Sequence, residues 1–152
     1  MPARVCGFAL LPVKMPQRIL IVCTGNCVRS QMAEGLLRNL GGGDCEVHSA
    51  GSRPEGFVSP LAIEAMSEIG IDISAHRSKS ISEFDGQQFD TVITVCDSAN
   101  EECPVFAGAP RRIHWSIWDL GAATGSYDEK LAAFRRVRDE LASRLRSFLA
   151  AF

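Results

Sequence analysis

The chain has few of the features that would indicate a membrane, a nucleic acid or a structural metal. The sequence contains 16 Lys and Arg and 18 Asp and Glu, so its net charge of −2 provides no overall field that favours nucleic acid. No apolar run is long enough to span a bilayer. Neither a Cys-x-x-Cys motif nor paired histidines occur, which argues against a zinc site. Any anion binding is therefore expected to be local.

The cysteines do not indicate a disulfide framework. There are six, at positions 6, 23, 27, 45, 96 and 103. With 152 residues, of which 46% are hydrophobic, the chain can build a core without disulfides. We therefore expect a cytoplasmic protein whose cysteines are mostly reduced, so that the important ones are catalytic or redox-active. Residues 1–16 are expected to form a flexible extension, with Met15 as an alternative start, and residues 17–152 a single domain.

Apolar runs alternate with helical periodicity along this domain. Strands are predicted at 18–23, 45–49, 90–96 and 111–116, and helices at 30–40, 60–69 and 127–152. This alternation predicts an α/β fold, a parallel four-stranded sheet with helices on both faces. The carboxyl ends of parallel strands meet at one edge of the sheet, where such folds bind ligands. Cys23 and Cys96 are both expected at that edge.

The most informative segment is Cys-Thr-Gly-Asn-Cys-Val-Arg-Ser, residues 23–30, between the first strand and the first helix. Backbone amides at such a turn and the helix dipole favour a bound anion, and the guanidinium of Arg29 can grip it. The same positive field, together with a hydrogen bond from Ser30, favours the thiolate of Cys23. The segment thus predicts a nucleophile beneath a tetrahedral oxyanion. The predicted anion-binding residues are Thr24, Gly25, Asn26, Cys27, Val28, Arg29 and Ser30.

This segment and the residues after it resemble the low-molecular-weight tyrosine phosphatase superfamily, in particular its thioredoxin-coupled arsenate reductase branch. The motif Cys-Thr-Gly-Asn-x-x-Arg-Ser-Gln-Met-Ala-Glu spans 23–34, and the similarity extends to the last helix. The resemblance implies arsenate as substrate, thioredoxin as reductant and no cofactor, and we expect a monomer. The loop departs from many arsenate reductases, which carry Ser-Cys where this chain has Cys27 and Val28.

Cys96 and Cys103 are seven positions apart, with polar residues between them. In a helix their thiols would be roughly 10 Å apart, beyond the reach of a disulfide. A Cys96–Cys103 disulfide would therefore require this segment to unwind or loop out. The resemblance implies that both are relay cysteines: Cys96 attacks Cys23, and Cys103 then attacks Cys96.

The resemblance also implies a general acid, Asp119, which would protonate the leaving oxygen. Relatives usually carry Pro after this Asp, whereas here Leu120 follows. Asp97 is the alternative carboxylate. In some relatives a potassium ion is bound near the loop by Asn, Glu, Ser and Asp. Three of these positions match, and Lys79 replaces the Asp, so we hypothesise that its ammonium replaces the ion and pairs with Glu34. The matching residues are Asn26, Glu34 and Ser49.

Three other functions remain open. A tyrosine phosphatase or small phosphomonoesterase needs Cys23, Arg29 and Asp119 but no relay cysteine, and weak phosphatase activity is expected from the shared chemistry. Such phosphatases usually carry tyrosines after the acid, whereas Tyr127 is the single tyrosine here. A reductase recycled by a low-molecular-weight thiol would tolerate Cys103→Ser. A non-enzymatic oxyanion-binding or thiol-sensing module would keep the loop but not need the acid.

Overall fold

The computed structural model describes residues 15–97 and 111–152. Four strands, β1 to β4, and three helices, α1 to α3, are present in this part of the chain. The strands are Gln17–Cys23, Cys45–Gly51, Thr91–Thr94 and Arg111–His114, and the helices are Arg29–Gly41, Pro60–Ser67 and Tyr127–Ala150. Short 3-10 helices span Gly42–Asp44, Ile81–Phe84 and Leu120–Ala122. Cys6 and Cys103 lie outside the described residues.

The strands form one parallel sheet with the order β2-β1-β3-β4. The α/β fold predicted from the sequence, a parallel four-stranded sheet flanked by helices, is confirmed. The prediction of β3 over 90–96 was too long, because its ladder with β1 and β4 covers only Thr91–Thr94. The apolar centre of β1, from Ile19 to Val22, is fully buried. Such continuous burial is typical of a central parallel strand.

The helices bury apolar stripes against the sheet and against one another. Leu36 and Leu37 of α1 are buried, and α1 contacts β1, β2 and α3. Helix α3 begins with a capping box, in which Ser126 and Glu129 satisfy each other's backbone amides. The buried Arg138 of α3 donates to the Ala65 carbonyl of α2. No helix in 15–97 or 111–152 is long and apolar enough to cross a membrane.

The sheet places the ends of β1 and β3 side by side. Val22 is opposite Thr94 in the parallel register, and the Val95 amide donates to the Val22 carbonyl at 2.9 Å. Cys23 ends β1, and Cys96 follows β3 by two positions. Both cysteines therefore reach the carboxyl edge of the sheet, as the sequence predicts.

Candidate active site

The nucleophile predicted from the sequence lies at the base of a tight loop. Cys23 is buried, and its Sγ accepts a hydrogen bond from the Asn26 amide at 3.1 Å. The Ser30 Oγ lies 2.8 Å from the same sulfur, which is the contact that the sequence predicts. Helix α1 begins at Arg29, so its free amides face the loop. These donors favour a negative charge at this point, either on the sulfur or on a bound oxyanion.

Asn26 holds the loop in shape. Its φ of 46° lies in the left-handed region, which Asn tolerates better than most residues. Its side-chain nitrogen donates to Ser30 Oγ at 2.7 Å and to Ser49 Oγ at 2.9 Å. Its side-chain oxygen accepts from the Lys79 amide at 2.8 Å and from Gln31 Nε2 at 2.9 Å. This fully buried side chain thus ties the loop to helix α1, strand β2 and the segment that follows α2.

A buried carboxylate, Glu34, lies behind this brace. Its Oε1 accepts from Ser49 Oγ at 2.6 Å and is 3.7 Å from Lys79 Nζ. Its Oε2 is 2.9 Å from Arg38 Nη1 and 3.4 Å from His76 Nδ1. The structure therefore brings together Glu34, Ser49 and Lys79, which the sequence analysis names, and adds Arg38 and His76. Sequence reasoning identified neither Arg38 nor His76 as part of this cluster.

Burial shifts the pKa values of two of the bases beside this carboxylate, Lys79 and His76. It lowers the pKa of Lys79, and the charge of Glu34 opposes that change. Burial also lowers the pKa of His76, again against the attraction of Glu34. The Lys79 ammonium also donates to the Arg77 carbonyl at 3.0 Å. Lys79 thus has oxygen partners on two sides.

Arg29 and Asp119 face each other across the cleft. Arg29 Nη1 donates to the Ile117 carbonyl at 3.0 Å, and its Nη2 is 3.7 Å from Asp119 Oδ1. The Asp119 side chain is 67% exposed, and Oδ1 accepts from the Gly121 amide at 2.9 Å. Leu120, which stands in place of the usual proline, is buried. The apolar contacts of Leu120 and the hydrogen bond from the Gly121 amide to Asp119 hold the loop around Asp119 without a proline.

Cys96 lies in the same cleft as Cys23. It is buried, and its Sγ lies 3.1 Å from the Thr24 Oγ1. The cleft has a volume of about 910 Å³, and its lining includes both cysteines, Arg29 and Asp119. The structure therefore brings together four of the five predicted catalytic residues. The fifth, Cys103, lies outside the described residues.

The alternative acid, Asp97, also lines the cleft, but both of its oxygens have partners. Its Oδ1 is 2.7 Å from His114 Nε2, and its Oδ2 accepts from Ser116 Oγ at 3.4 Å. Sequence reasoning did not identify His114, since nothing local in the chain indicates this pairing. Asp119 is therefore the cleft carboxylate that faces Arg29, and Asp97 is held from the side of β4.

The rim of the cleft adds residues that sequence reasoning did not identify. The Glu55 amide donates to the Gly25 carbonyl at 2.8 Å, and a Cβ at Gly25 would lie 2.9 Å from Glu55 Cγ. A side chain at position 25 would therefore have to displace the exposed side chain of Glu55. Burial, followed by the charge of Glu55, raises the pKa of the Cys27 thiol. Phe57 and Trp118 are exposed at the cleft.

Within the part of the chain that the structure describes, the three cysteines that line the cleft, Cys23, Cys27 and Cys96, are free thiols. In the same part, no group of three or more His, Cys, Asp or Glu could hold a metal ion. The chemistry that these residues offer is therefore that of a thiol nucleophile, a second buried thiol, a guanidinium and a carboxyl group.

Comparison with known proteins gives a consistent result. Residues 18–152 match the family described as low molecular weight phosphotyrosine protein phosphatase. An arsenate reductase of Halalkalibacterium halodurans is 45% identical over 130 residues, which cover 86% of this chain and 93% of that protein. A solved arsenate reductase in its oxidised state has a TM-score of 0.76 and 32% identity, covering 89% of this chain and 98% of its own.

A thioredoxin-dependent arsenate reductase of Corynebacterium glutamicum is also similar, with a TM-score of 0.69 and 28% identity. The match covers 91% of this chain and 63% of that protein. The family match spans nearly all of the sequence and includes every element of the cleft. The chain is therefore an enzyme of the low molecular weight phosphotyrosine protein phosphatase family, with arsenate reductases among its relatives.

Proposed function

We propose that this enzyme reduces arsenate to arsenite, with Cys23 as the nucleophile and Cys96 as the thiol that releases the product. The observation that carries the proposal is the presence of a second buried thiol, Cys96, in the cleft that holds Cys23, Arg29 and Asp119. Hydrolysis of a phosphate ester needs only water to release the nucleophile. A reduction needs two electrons, which two thiols supply when they form a disulfide.

In the first step, arsenate occupies the loop with its oxygens on the backbone amides and on Arg29. The Cys23 thiolate attacks arsenic, so that an S–As bond forms and one As–O bond breaks. Asp119 gives its proton to the departing oxygen, which leaves as water. Asp119 lies at the open side of the cleft, 3.7 Å from Arg29, where it can reach that oxygen.

In the second step, the Cys96 thiolate attacks the sulfur of Cys23. An S–S bond forms, the S–As bond breaks, and its electron pair stays on arsenic, which passes from the +5 to the +3 state. Arsenite leaves after taking up protons from solvent. The two thiols have lost the two electrons that arsenic has gained. The hydroxyl of Thr24, 3.1 Å from Cys96 Sγ, can donate a hydrogen bond to the sulfur that makes this attack.

In the third step, the Cys103 thiolate attacks Cys96, which restores Cys23 and moves the disulfide to Cys96 and Cys103. A dithiol reductant, thioredoxin, then reduces this disulfide by exchange. The similarity to a thioredoxin-dependent reductase supports this assignment. A cytoplasmic, monomeric enzyme without a cofactor is consistent with this scheme.

We also propose that the Lys79 ammonium replaces a bound alkali cation behind the loop. Its Nζ lies 3.7 Å from Glu34 Oε1 and donates to the Arg77 carbonyl at 3.0 Å. A cation at this point would neutralise Glu34, which in turn orients Ser49 and Asn26 beneath the anion loop. A tethered ammonium supplies the same charge without a dependence on potassium.

The test is arsenate-dependent NADPH oxidation with thioredoxin and thioredoxin reductase. We expect Cys23→Ser, Cys96→Ser and Cys103→Ser each to abolish multiple turnover. Cys45→Ser is the matched control, because Cys45 begins β2, at the end of the sheet opposite Cys23. Full turnover of Cys103→Ser with thioredoxin would contradict the three-cysteine relay. Turnover of that variant with glutathione would instead indicate a reductase recycled by a small thiol.

Hydrolysis of p-nitrophenyl phosphate distinguishes the phosphatase alternative from the reductase. Weak hydrolysis that needs Cys23 but survives Cys96→Ser is expected from the shared first step. Rapid hydrolysis combined with no arsenate-dependent oxidation of thiols would assign the enzyme to phosphate esters instead. The absence of both activities, with phosphate still bound, would indicate a binding module.

A further inference from the structure

A histidine outside the predicted catalytic set connects the two sides of Cys96. His114 on β4 is opposite Thr94 on β3 in the parallel register. Its Nδ1 is 2.7 Å from Thr94 Oγ1, and its Nε2 is 2.7 Å from Asp97 Oδ1. We call this arrangement the His114 bridge; it consists of Thr94, Asp97 and His114. One imidazole thus holds a residue on each side of Cys96.

The directions of these hydrogen bonds follow from the chemistry of the groups. A carboxylate only accepts, so the Nε2 proton of His114 faces Asp97. Nδ1 can then accept the hydroxyl proton of Thr94, a pattern that uses both ring nitrogens. Ser116 supports the carboxylate from the same side, with its Oγ donating to Asp97 Oδ2 at 3.4 Å. The bridge therefore fixes the backbone just after Cys96 to the neighbouring strand.

Cys96 needs such support because the strand no longer holds it. The β3 ladder ends at Thr94, although the Val95 amide still donates to the Val22 carbonyl. The sulfur of Cys96 must meet the sulfur of Cys23 in line with the S–As bond. A displacement of about 1 Å at a reacting centre can reduce a rate by about a hundredfold. The position of the residues that flank Cys96 is therefore expected to control this step.

We propose that His114 is a positioning residue for Cys96: through Thr94 and Asp97 it holds that thiol in the cleft for attack on Cys23. This inference rests on the proposed function, since it assigns a role in the second step alone. The hydrogen bonds of His114 reach neither Cys23 nor Arg29, so we expect its substitution to leave binding of the oxyanion and the first step unchanged.

The test uses single turnover in a Cys103→Ser background, in which the reaction stops at the Cys23–Cys96 disulfide. Reduced enzyme is mixed with excess arsenate and no reductant, and arsenite is measured by rapid quench. We expect His114→Ala to lower the rate of arsenite release by about tenfold. His114→Gln, whose amide can still donate to Asp97, should recover most of that loss. Asp97→Ala should be slowed like His114→Ala.

A double-mutant cycle separates positioning from a general loss of structure. If the bridge acts as one unit, the His114→Ala, Asp97→Ala double variant is no slower than either single variant. Protection of Cys23 from iodoacetamide by inorganic phosphate should be equal in all of them, because the anion loop is intact. His48→Gln is the matched control, since His48 pairs with Glu46 on another strand, and it should keep the parent rate.

The outcomes separate a failure of the proposed function from a failure of the positioning role of His114. If the Cys103→Ser parent releases no arsenite and forms no Cys23–Cys96 disulfide, the proposed function fails. If the parent reacts and His114→Ala keeps its rate, the positioning role is overturned while the proposed function stands. Additive losses in the double variant, or weaker protection by phosphate, would also overturn it. Asp97 is 73% exposed, so Asp97→Ala keeps the test valid if His114→Ala does not fold.

Discussion

The two sides of the cleft are built in contrasting ways. The side around Cys23 rests on two buried polar side chains, Asn26 and Glu34, which are both hydrogen-bonded to Ser49 of β2. The other side carries Asp97 and Asp119, with side chains that are 73% and 67% exposed. The proposed oxyanion loop thus rests on side chains whose positions are fixed by buried hydrogen bonds. Asp119, the proposed proton donor, stands on a more open side, where it is held by few contacts.

The largest effect should come from the open side, through Asp119→Asn. We expect arsenite release at saturating arsenate to fall by about 10² to 10⁴-fold, because the leaving oxygen loses its proton donor. The urea midpoint should not change, since this side chain is mostly exposed. Rapid-quench kinetics and urea denaturation measure the two quantities.

Asp97→Asn is the control, because it changes a second cleft carboxylate but keeps an acceptor for His114. Asp97→Asn should lower the rate of arsenite release far less than Asp119→Asn does. Equal losses from the two substitutions would show that the acid assignment is wrong.

Substitutions on the buried side, around Cys23, should instead lower the free energy of unfolding. Glu34→Ala leaves the half-buried Lys79 ammonium without its carboxylate, and removal of one partner of a buried ion pair costs about 3 kcal/mol. Glu46→Ala is the matched control, because Glu46 is paired with Arg18 and His48 at the surface. It should cost at most about 1 kcal/mol. Similar free energies of unfolding for the two variants would remove the contrast between the two sides.

A smaller effect concerns pH. Burial lowers the pKa of His76 below its usual 6.5, so the unfolded chain binds the proton more readily than the folded one. The stability that depends on neutral His76 is present above pH 6.5 and is lost as the pH falls below it. We expect the urea midpoint of the wild type to fall more between pH 7.5 and 5.5 than that of His76→Gln. An equal fall in both proteins would contradict this expectation.

The smallest effect expected is that of potassium. If the Lys79 ammonium replaces an alkali cation, then exchange of sodium for potassium at constant ionic strength should change neither turnover nor the thermal midpoint. Tetramethylammonium, which is too large for such a site, is the reference salt. A strong increase in activity or stability with potassium would show that the ammonium does not occupy this role.

The side of the cleft around Cys23 could be predicted largely from the sequence, because its residues are close in the chain. Cys23, Asn26, Arg29 and Ser30 lie within one loop and the first turn of α1. Strand, loop and helix signals coincide there, so local rules place the nucleophile, the anion loop and the guanidinium. The fold class followed from the same alternation of elements.

The side that carries Asp97 and Asp119 could be predicted less well from the sequence, because its contacts join segments that are distant in the chain. The bond between Asp97 and His114 depends on the register of β3 and β4, which no periodicity in the chain encodes. Glu55 approaches Gly25 from a loop without regular structure. The ladders of β3 with both β1 and β4 end at Thr94, although the apolar pattern of the sequence continues further.

The pairing of β1 directly with β3 has a consequence for how the protein is made. Thr24 and Cys96 touch across a separation of 72 residues, and parallel strands so far apart in the chain come together late in folding. Until they pair, the thiols of Cys23 and Cys96 are free to react with any other cysteine. Refolding under oxidising conditions should therefore trap mispaired disulfides, whereas a reducing buffer during recovery should give the competent enzyme.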